Sequence, residues 1–173
     1  MEKKINKIAI FDLDGTLIDT PLPETGKVEY KKKTGKDWPH KGWWGQADSL
    51  DIEVFDMPVI TDVVNDYNKM VKEPNTLVVL LTGRLEKLRP QVEKLLASKG
   101  LKFHKTLLST GGSTDTFKLK TLDMLVKEYP DSEIHMWEDR LEHIPIFEEW
   151  GKKNSLEGKI TGFEITVIPA GRH

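Results

Sequence analysis

The stretch Ile8-Ala9-Ile10-Phe11-Asp12-Leu13-Asp14-Gly15-Thr16-Leu17 decides the fold. Residues 5–13 mix Ile, Ala and Phe with little charge after Lys7, which predicts a buried strand, and Asp14-Gly15 stops it in a tight turn. The same form recurs downstream. Thr76-Leu77-Val78-Val79-Leu80-Leu81 stops at Thr82-Gly83-Arg84, a weaker run covers 103–108, Ile134-His135-Met136-Trp137 stops at Glu138-Asp139, and 163–168 gives a fifth strand. Between them lie helical periods at 61–72, at 86–99 closed by Gly100, at 117–129 closed by Pro130, and at 143–153. In the third, Leu119, Leu122, Leu125 and Val126 form one stripe, leaving Lys118, Lys120 and Lys127 off it. Strands apolar enough to be covered on both faces, alternating with helices, predict an α/β fold with a doubly wound, mostly parallel sheet. Ligands in that architecture bind at the carboxyl ends of the strands, where these polar residues fall.

The chain has 173 residues, enough for a single domain over 1–173 with its own core. Hydrophobic residues make up 38% and charged residues 31%, which argues against disorder and low complexity. With 26 Lys plus Arg against 28 Asp plus Glu, no global positive charge advertises nucleic acid, so any such binding is local. The absence of Cys removes disulfides, thiolate catalysis and Cys-ligated zinc, and fits a reducing compartment. No apolar run approaches the roughly 20 residues of a membrane span, and the first residues lead into a strand rather than a signal peptide, so a cytoplasmic location is expected. Residues 21–58 break the alternation. They hold Lys31-Lys32-Lys33 and Trp38, Trp43 and Trp44 beside His40 and Lys41, and are expected to form a small insertion packed like a cap over the site.

Asp12 and Asp14 carry the first chemistry. A turn after Asp12 can aim both carboxylates at one pocket, and such a pair divides labour: Asp12 as nucleophile toward phosphorus, Asp14 as acid toward the leaving oxygen and then base toward water. An Asp-Gly turn alone is usually only a turn; the full string Phe11-Asp12-Leu13-Asp14-Gly15-Thr16-Leu17 is far more specific. It resembles the signature of the haloacid dehalogenase-like hydrolases, the HAD superfamily, over most of the chain. That resemblance implies a Rossmann-like three-layer α/β/α core and a Mg²⁺-dependent mechanism through an aspartyl phosphate. It also implies that the Thr82 hydroxyl and the amide of Gly83 hold the transferred phosphoryl group, in keeping with a hydroxyl and amides forming an anion nest at a strand-to-helix turn. A Lys that neutralises nucleophile and phosphate is expected at Lys118, which opens its helix, with Lys120 as the other candidate. The acidic pair Glu138-Asp139 would complete a metal site with Asp12 and the Asp14 carbonyl, since Mg²⁺ takes oxygen ligands. The commoner family forms have Asp-Asp or Gly-Asp here followed by a further Asp, so whether Glu138 or Asp139 binds directly stays open. Dehalogenating relatives lack an acid at the position of Asp14, and ion pumps carry Thr there, so Asp14 implies a phosphatase or phosphomutase.

A narrower group is also similar: the HAD domain of the Swiss Army Knife RNA repair proteins. The residues that carry this likeness are Thr20-Pro21, Trp43-Trp44, Phe117-Lys118, and Trp137-Glu138-Asp139-Arg140 followed by His143 and Phe147. It implies removal of a terminal phosphate from an RNA or DNA end and association with other RNA repair enzymes. Aromatic side chains stack on unpaired bases and lysines track a phosphate backbone, so Trp43 and Trp44 are candidate base platforms, or else the insertion's own core. Arg84, Arg140 and His143 are candidate contacts to substrate phosphate or ribose; an ion pair is the alternative for Arg84 and a local hydrogen bond for His143. Two further readings stand beside RNA-end processing: a small-molecule phosphatase acting on nucleotides or sugar phosphates, and a module that binds phosphorylated ends without turnover.

Overall fold

The computed structural model describes residues 4–169. Five parallel strands, β1 (Lys7–Phe11), β2 (Thr76–Leu85), β3 (Lys105–Ser109), β4 (Ser132–Glu138) and β5 (Ile160–Val167), lie in the order β3-β2-β1-β4-β5. The chain winds outward from β1 twice, in opposite directions, so β1 and β4 are neighbours and their carboxyl ends meet. That point of reversal is where α/β sheets place their sites.

Strand residues alternate between the two faces, and both faces are covered. Ala9, Phe11, Val78, Leu80 and Trp137 bury one way, against Val63 and Tyr67 of α2 (Thr61–Lys72) and Val92, Leu95 and Leu96 of α3 (Arg89–Ser98). Ile8, Ile10, Val79, Leu81, Ile134 and Met136 bury the other way, against Leu122, Leu125 and Val126 of α4 (Thr114–Glu128) and Phe147 and Trp150 of α5 (Ile144–Leu156). Two apolar clusters sandwiching one sheet give the three-layer core expected from the strand pattern. Beneath the site, Trp137 is stacked between Phe11 and His135, with ring centroids 4.1 and 3.7 Å away, and its indole N–H donates to Asp66.

Several boundaries differ from the sequence reading, each for a local reason. β2 runs past Leu81 through Thr82-Gly83-Arg84 to Leu85, with a register shift against β3 between Thr82 and Leu85. Thr82 therefore sits on an irregular strand end rather than at a strand-to-helix turn. A short 3-10 turn, Glu86–Leu88, intervenes before α3, which starts beside Pro90 because proline suits the first helical turn and not an interior. Leu141–His143 makes a similar 3-10 turn before α5, where Pro145 occupies the first turn. A fifth helix, α1 (Pro23–Thr34), occupies the insertion where no period was apparent. Its face is largely polar, with Val28 exposed, but Pro23 at its start and the left-handed Gly35 at its end delimit it.

The insertion is closed at its root. Ile18 bridges Val59, the Asp19 amide donates to the Pro58 carbonyl, and the Ile60 amide donates to the Leu17 carbonyl. Trp43, Leu50, Phe55 and Met57 extend the apolar cluster of the α2/α3 face, so the insertion shares the core rather than hanging from it. Gly26 lets α1 lie directly on the Trp43 indole, where a Cβ would overlap the ring. Ala in place of Gly gains up to about 1 kcal/mol of helix propensity, whereas forced overpacking costs about 1–3 kcal/mol. Gly26→Ala should therefore lower the thermal midpoint by a few degrees, as calorimetry would register; a rise would show that Trp43 yields at no cost.

Candidate active site

Asp12 follows the last residue of β1, and its amide donates to the Trp137 carbonyl, so the ladder between β1 and β4 continues up to the site. The chain then coils back. The Leu13 carbonyl accepts from the amides of Thr16, Leu17 and Ile18, and Gly15 takes φ 76°, a value that favours glycine. This turn brings the Thr16 hydroxyl to 3.3 Å from Asp139 Oδ1 and 3.5 Å from Asp12 Oδ2. Glu138 ends β4 and Asp139 follows it, so Asp12, Glu138 and Asp139 each offer an oxygen within 4.8 Å of the others, and all three are buried.

Lys118, in the second turn of α4, enters this cluster from the opposite layer. It is 2% exposed, and its Nζ donates to Glu138 Oε1 at 2.8 Å and lies 3.2 Å from Asp12 Oδ1. Lys120, the other candidate, is exposed. The electrostatics follow from burial and contact. Burial favours the neutral amine, yet Asp12 and Glu138 outweigh it and hold Lys118 above its ordinary value. Burial pushes the Asp12 carboxyl well up, and the neighbouring Glu138 adds to this against the pull of Lys118. Burial acts on Glu138 in the same sense, but Lys118 and the hydrogen bonds hold it down at about 2. Both Glu138 oxygens accept hydrogen bonds, one from Lys118 and the other from the Asp139 amide.

Three buried carboxyl groups beside one ammonium present an all-oxygen donor set. That suits a hard divalent cation such as Mg²⁺, which Asp12, Glu138 and Asp139 could hold.

Above the cluster lies an open cavity of about 500 Å³. Asp12, Thr82, Lys118 and Asp139 form its floor; Asp14, Gly83, Arg84, Trp44 and Arg140 also line it, with Leu22 and Thr114, which the sequence had not singled out. Thr82 is buried, and its hydroxyl oxygen accepts from the Arg84 amide at 3.1 Å, which leaves the O–H to donate elsewhere. Asp14 accepts from the Thr20 hydroxyl at 2.6 Å and from Arg84 through two guanidinium nitrogens. Arg84, expected as a contact to substrate or as an ion pair, is 3% exposed and committed to the pair with Asp14.

Two expectations are corrected by burial. Trp43 is 4% exposed, donates its indole N–H to the Pro21 carbonyl and packs on Trp38 and Phe55, so it is insertion core and not a base platform. Trp44 alone of the pair reaches the cavity, 44% exposed. His143 is tucked against Phe147 at the start of α5, and burial, aided by Arg140, pushes its imidazole down. Its Nδ1 has no hydrogen-bond partner among the described residues, and it does not line the cavity. Arg140 does line it and pairs with Glu142.

The family whose profile matches residues 28–173 is HAD domain family 1 in Swiss Army Knife RNA repair proteins, and the chain belongs to it. The matched stretch contains Thr82, Lys118, Glu138 and Asp139 and starts after Asp12 and Asp14. Among solved structures, chains of the Pnkp1/Rnl/Hen1 RNA repair complex are similar at TM-scores of 0.59 and 0.58, with 16% and 18% identity over 95% and 96% of this chain. This chain spans 46% and 44% of theirs, under half their length. The HAD domain of effector protein Lem4 from Legionella pneumophila aligns at TM-score 0.57, 14% identity, over 98% of this chain and 90% of that one. A haloacid dehalogenase-like hydrolase from Streptococcus pneumoniae aligns at 0.53 and 10%, over 92% and 93%. These structural likenesses concern the fold. The chain is a HAD hydrolase-like domain related to those of RNA repair proteins, and no helix among its described residues is long and apolar enough to cross a membrane.

The low value of Glu138 fixes a sign for acid stability. A carboxyl held below its unfolded value contributes stability that is complete above about 4.5, its ordinary value, and lost as pH falls through about 2. Asp12, pushed up, acts in the opposite sense. In chelator, urea midpoints of the wild type should therefore fall more steeply between those limits than those of Glu138→Gln; equal slopes would remove Glu138 from the ion pair.

Proposed function

We propose that this protein is a Mg²⁺-dependent phosphatase that removes a terminal phosphate from nucleic acid, with an RNA end as substrate, through an aspartyl phosphate on Asp12. The observation that carries this reading is the buried cluster of Asp12, Glu138 and Asp139 around Lys118, of which Asp12, Asp139 and Lys118 line an open cavity.

With substrate bound and the Asp14 carboxyl protonated, Asp12 Oδ attacks phosphorus, and the bond from phosphorus to the leaving oxygen breaks as Asp14 gives that oxygen its proton. Asp14, now a carboxylate, takes a proton from water as the water oxygen attacks the same phosphorus. The bond to Asp12 breaks, and inorganic phosphate and the Asp12 carboxylate are regenerated. Lys118 offsets the negative charge of nucleophile and phosphoryl group. The Thr82 hydroxyl, its oxygen already accepting from the Arg84 amide, donates to a phosphoryl oxygen. Asp12 and Asp139 would hold the cation, which would supply charge neutralisation for the phosphoryl oxygens.

Trp44 supports a nucleic-acid end: it is an exposed indole on the wall of the cavity that Arg140 also lines, suited to a base beside the phosphate. The cavity volume also falls within the range of small-ligand sites, which keeps nucleotides and sugar phosphates as a second reading.

Phosphate release from RNA oligomers bearing a 3′- or 5′-phosphate, beside nucleoside monophosphates and an aryl phosphate, should depend on Mg²⁺ and be fastest from one oligomer end. Release from the small compounds alone would favour the second reading, and binding without any release would leave an end-binding module. Asp12→Asn should abolish turnover with the fold retained; activity in that variant would exclude the covalent route. Trp44→Ala should raise KM for the oligomer roughly 5–150-fold, the equivalent of about 1–3 kcal/mol of stacking, with little effect on the aryl phosphate. Equal losses on both substrates would make Trp44 a scaffold.

A further inference from the structure

We propose that Arg84 is a positioning residue for Asp14 and that the insertion, through the Trp44 carbonyl and the Ser49 hydroxyl, positions Arg84. This rests on the acid and base role of Asp14 given above and says what holds that residue in place.

The guanidinium is engaged on two sides, through four of its five N–H groups. Toward the core, Nε donates to Asp14 Oδ2 at 3.0 Å and Nη2 donates to Asp14 Oδ1 at 2.7 Å. Toward the insertion, Nη1 donates to the Trp44 carbonyl at 2.8 Å and to Ser49 Oγ at 2.7 Å. A planar fork on a carboxylate fixes its plane as well as its place, which a point charge would not do. Asp14 needs this because it stands in a turn and not on a strand, joined to the insertion root by the parallel bridge with Ile18. A proton donor must lie within about 3 Å of its acceptor, and an error of about 1 Å costs on the order of 10²-fold.

The insertion side is equally determined. Ser49 is fully buried and donates its hydroxyl proton to the Gln46 carbonyl at 2.6 Å, so its oxygen is turned toward Arg84 as an acceptor. The Trp44 ring lies over the guanidinium, 5.0 Å from its carbon to the ring centroid, while the same ring forms part of the cavity wall. Substrate resting on Trp44 therefore bears on the side chain that sets the acid. The insertion is part of the catalytic apparatus without supplying a group that touches the reacting atoms.

The test uses the whole chain with Mg²⁺ and two substrates: 4-nitrophenyl phosphate, whose leaving group departs without a proton, and a phosphorylated oligoribonucleotide, whose ribose oxygen requires one. Arg84→Lys keeps the charge and loses the fork. It should reproduce the pattern of Asp14→Asn: a loss of tenfold or more in kcat on the oligonucleotide, and with the aryl phosphate a rapid release of one equivalent of nitrophenol followed by slow turnover, because the water-activating base is displaced. As a single variant, Ser49→Ala should cost about threefold or more on the oligonucleotide, but nothing further when added to Asp14→Asn, as for residues acting through one group. Because Arg84→Lys alters a buried ion pair, thermal unfolding accompanies every variant, and Ser49→Ala decides the matter if Arg84→Lys does not fold. Equal losses on both substrates without a burst, or multiplying losses in the Ser49→Ala, Asp14→Asn double variant, would overturn the proposal. Wild-type rates for Asp14→Asn would instead overturn the role of Asp14, and the proposal with it.

Discussion

A buried lysine ammonium 2.8 Å from one carboxylate and 3.2 Å from another is the constraint around which this molecule is organised. Lys118 is nearly inaccessible, so its charge is tolerable only because Asp12 and Glu138 stand at the carboxyl ends of adjacent strands. That adjacency requires the order β2-β1-β4, with β1 central, and α4 must dock so that its second turn points over the strand ends. The apolar stripe of α4, Leu122, Leu125 and Val126 against Ile8, Ile10 and Ile134, fixes that approach. Hydrophobic packing thus provides the placement, and the polar cluster depends on it.

The site has two storeys with different owners. The lower, Asp12, Lys118, Glu138 and Asp139, belongs to the sheet and the helix over one of its faces. The upper, Asp14, Arg84, Trp44 and Ser49, is shared between strand ends and insertion. The carboxylate proposed to attack phosphorus is therefore held by the geometry of a sheet, and the one proposed to move protons is held by Arg84 and, through it, by the insertion.

Legibility in the sequence follows the range of the forces concerned. The strand runs are apolar on both faces, so their existence and the polar residues at their ends were visible from 76–81 and 134–137 alone. Lys118 could be preferred to Lys120 because its position follows a polar loop at the start of a helical period; the structure starts that helix at Thr114, brings Lys118 to Asp12 and leaves Lys120 exposed. α1 escaped because its residues bury little; only Pro23 and Gly35, local backbone signals, marked it. Trp43 and Trp44 are adjacent in sequence and opposite in fate, since one faces Gly26 and Phe55 and its neighbour faces the cavity. The engagement of Arg84 with Asp14 and Ser49 joins residues 70 and 35 positions apart, which no periodicity encodes. Thr16 and Thr20 lay inside quoted strings, yet their hydroxyl partners depend on the turn that only the fold defines.

The paired root of the insertion has an evolutionary consequence. Because Leu17 to Asp19 is hydrogen-bonded to residues 58–60, the excursion between them leaves and re-enters the core at a single point. The entropy of closing such a loop grows only logarithmically with its length, so segments of quite different size can be exchanged there without disturbing the strand order. What an exchanged segment must preserve is an apolar side toward the α2/α3 face and a carbonyl and a hydroxyl in reach of one arginine. The root thus acts as a socket, through which substrate preference can diversify while the chemistry proposed beneath it is inherited unchanged.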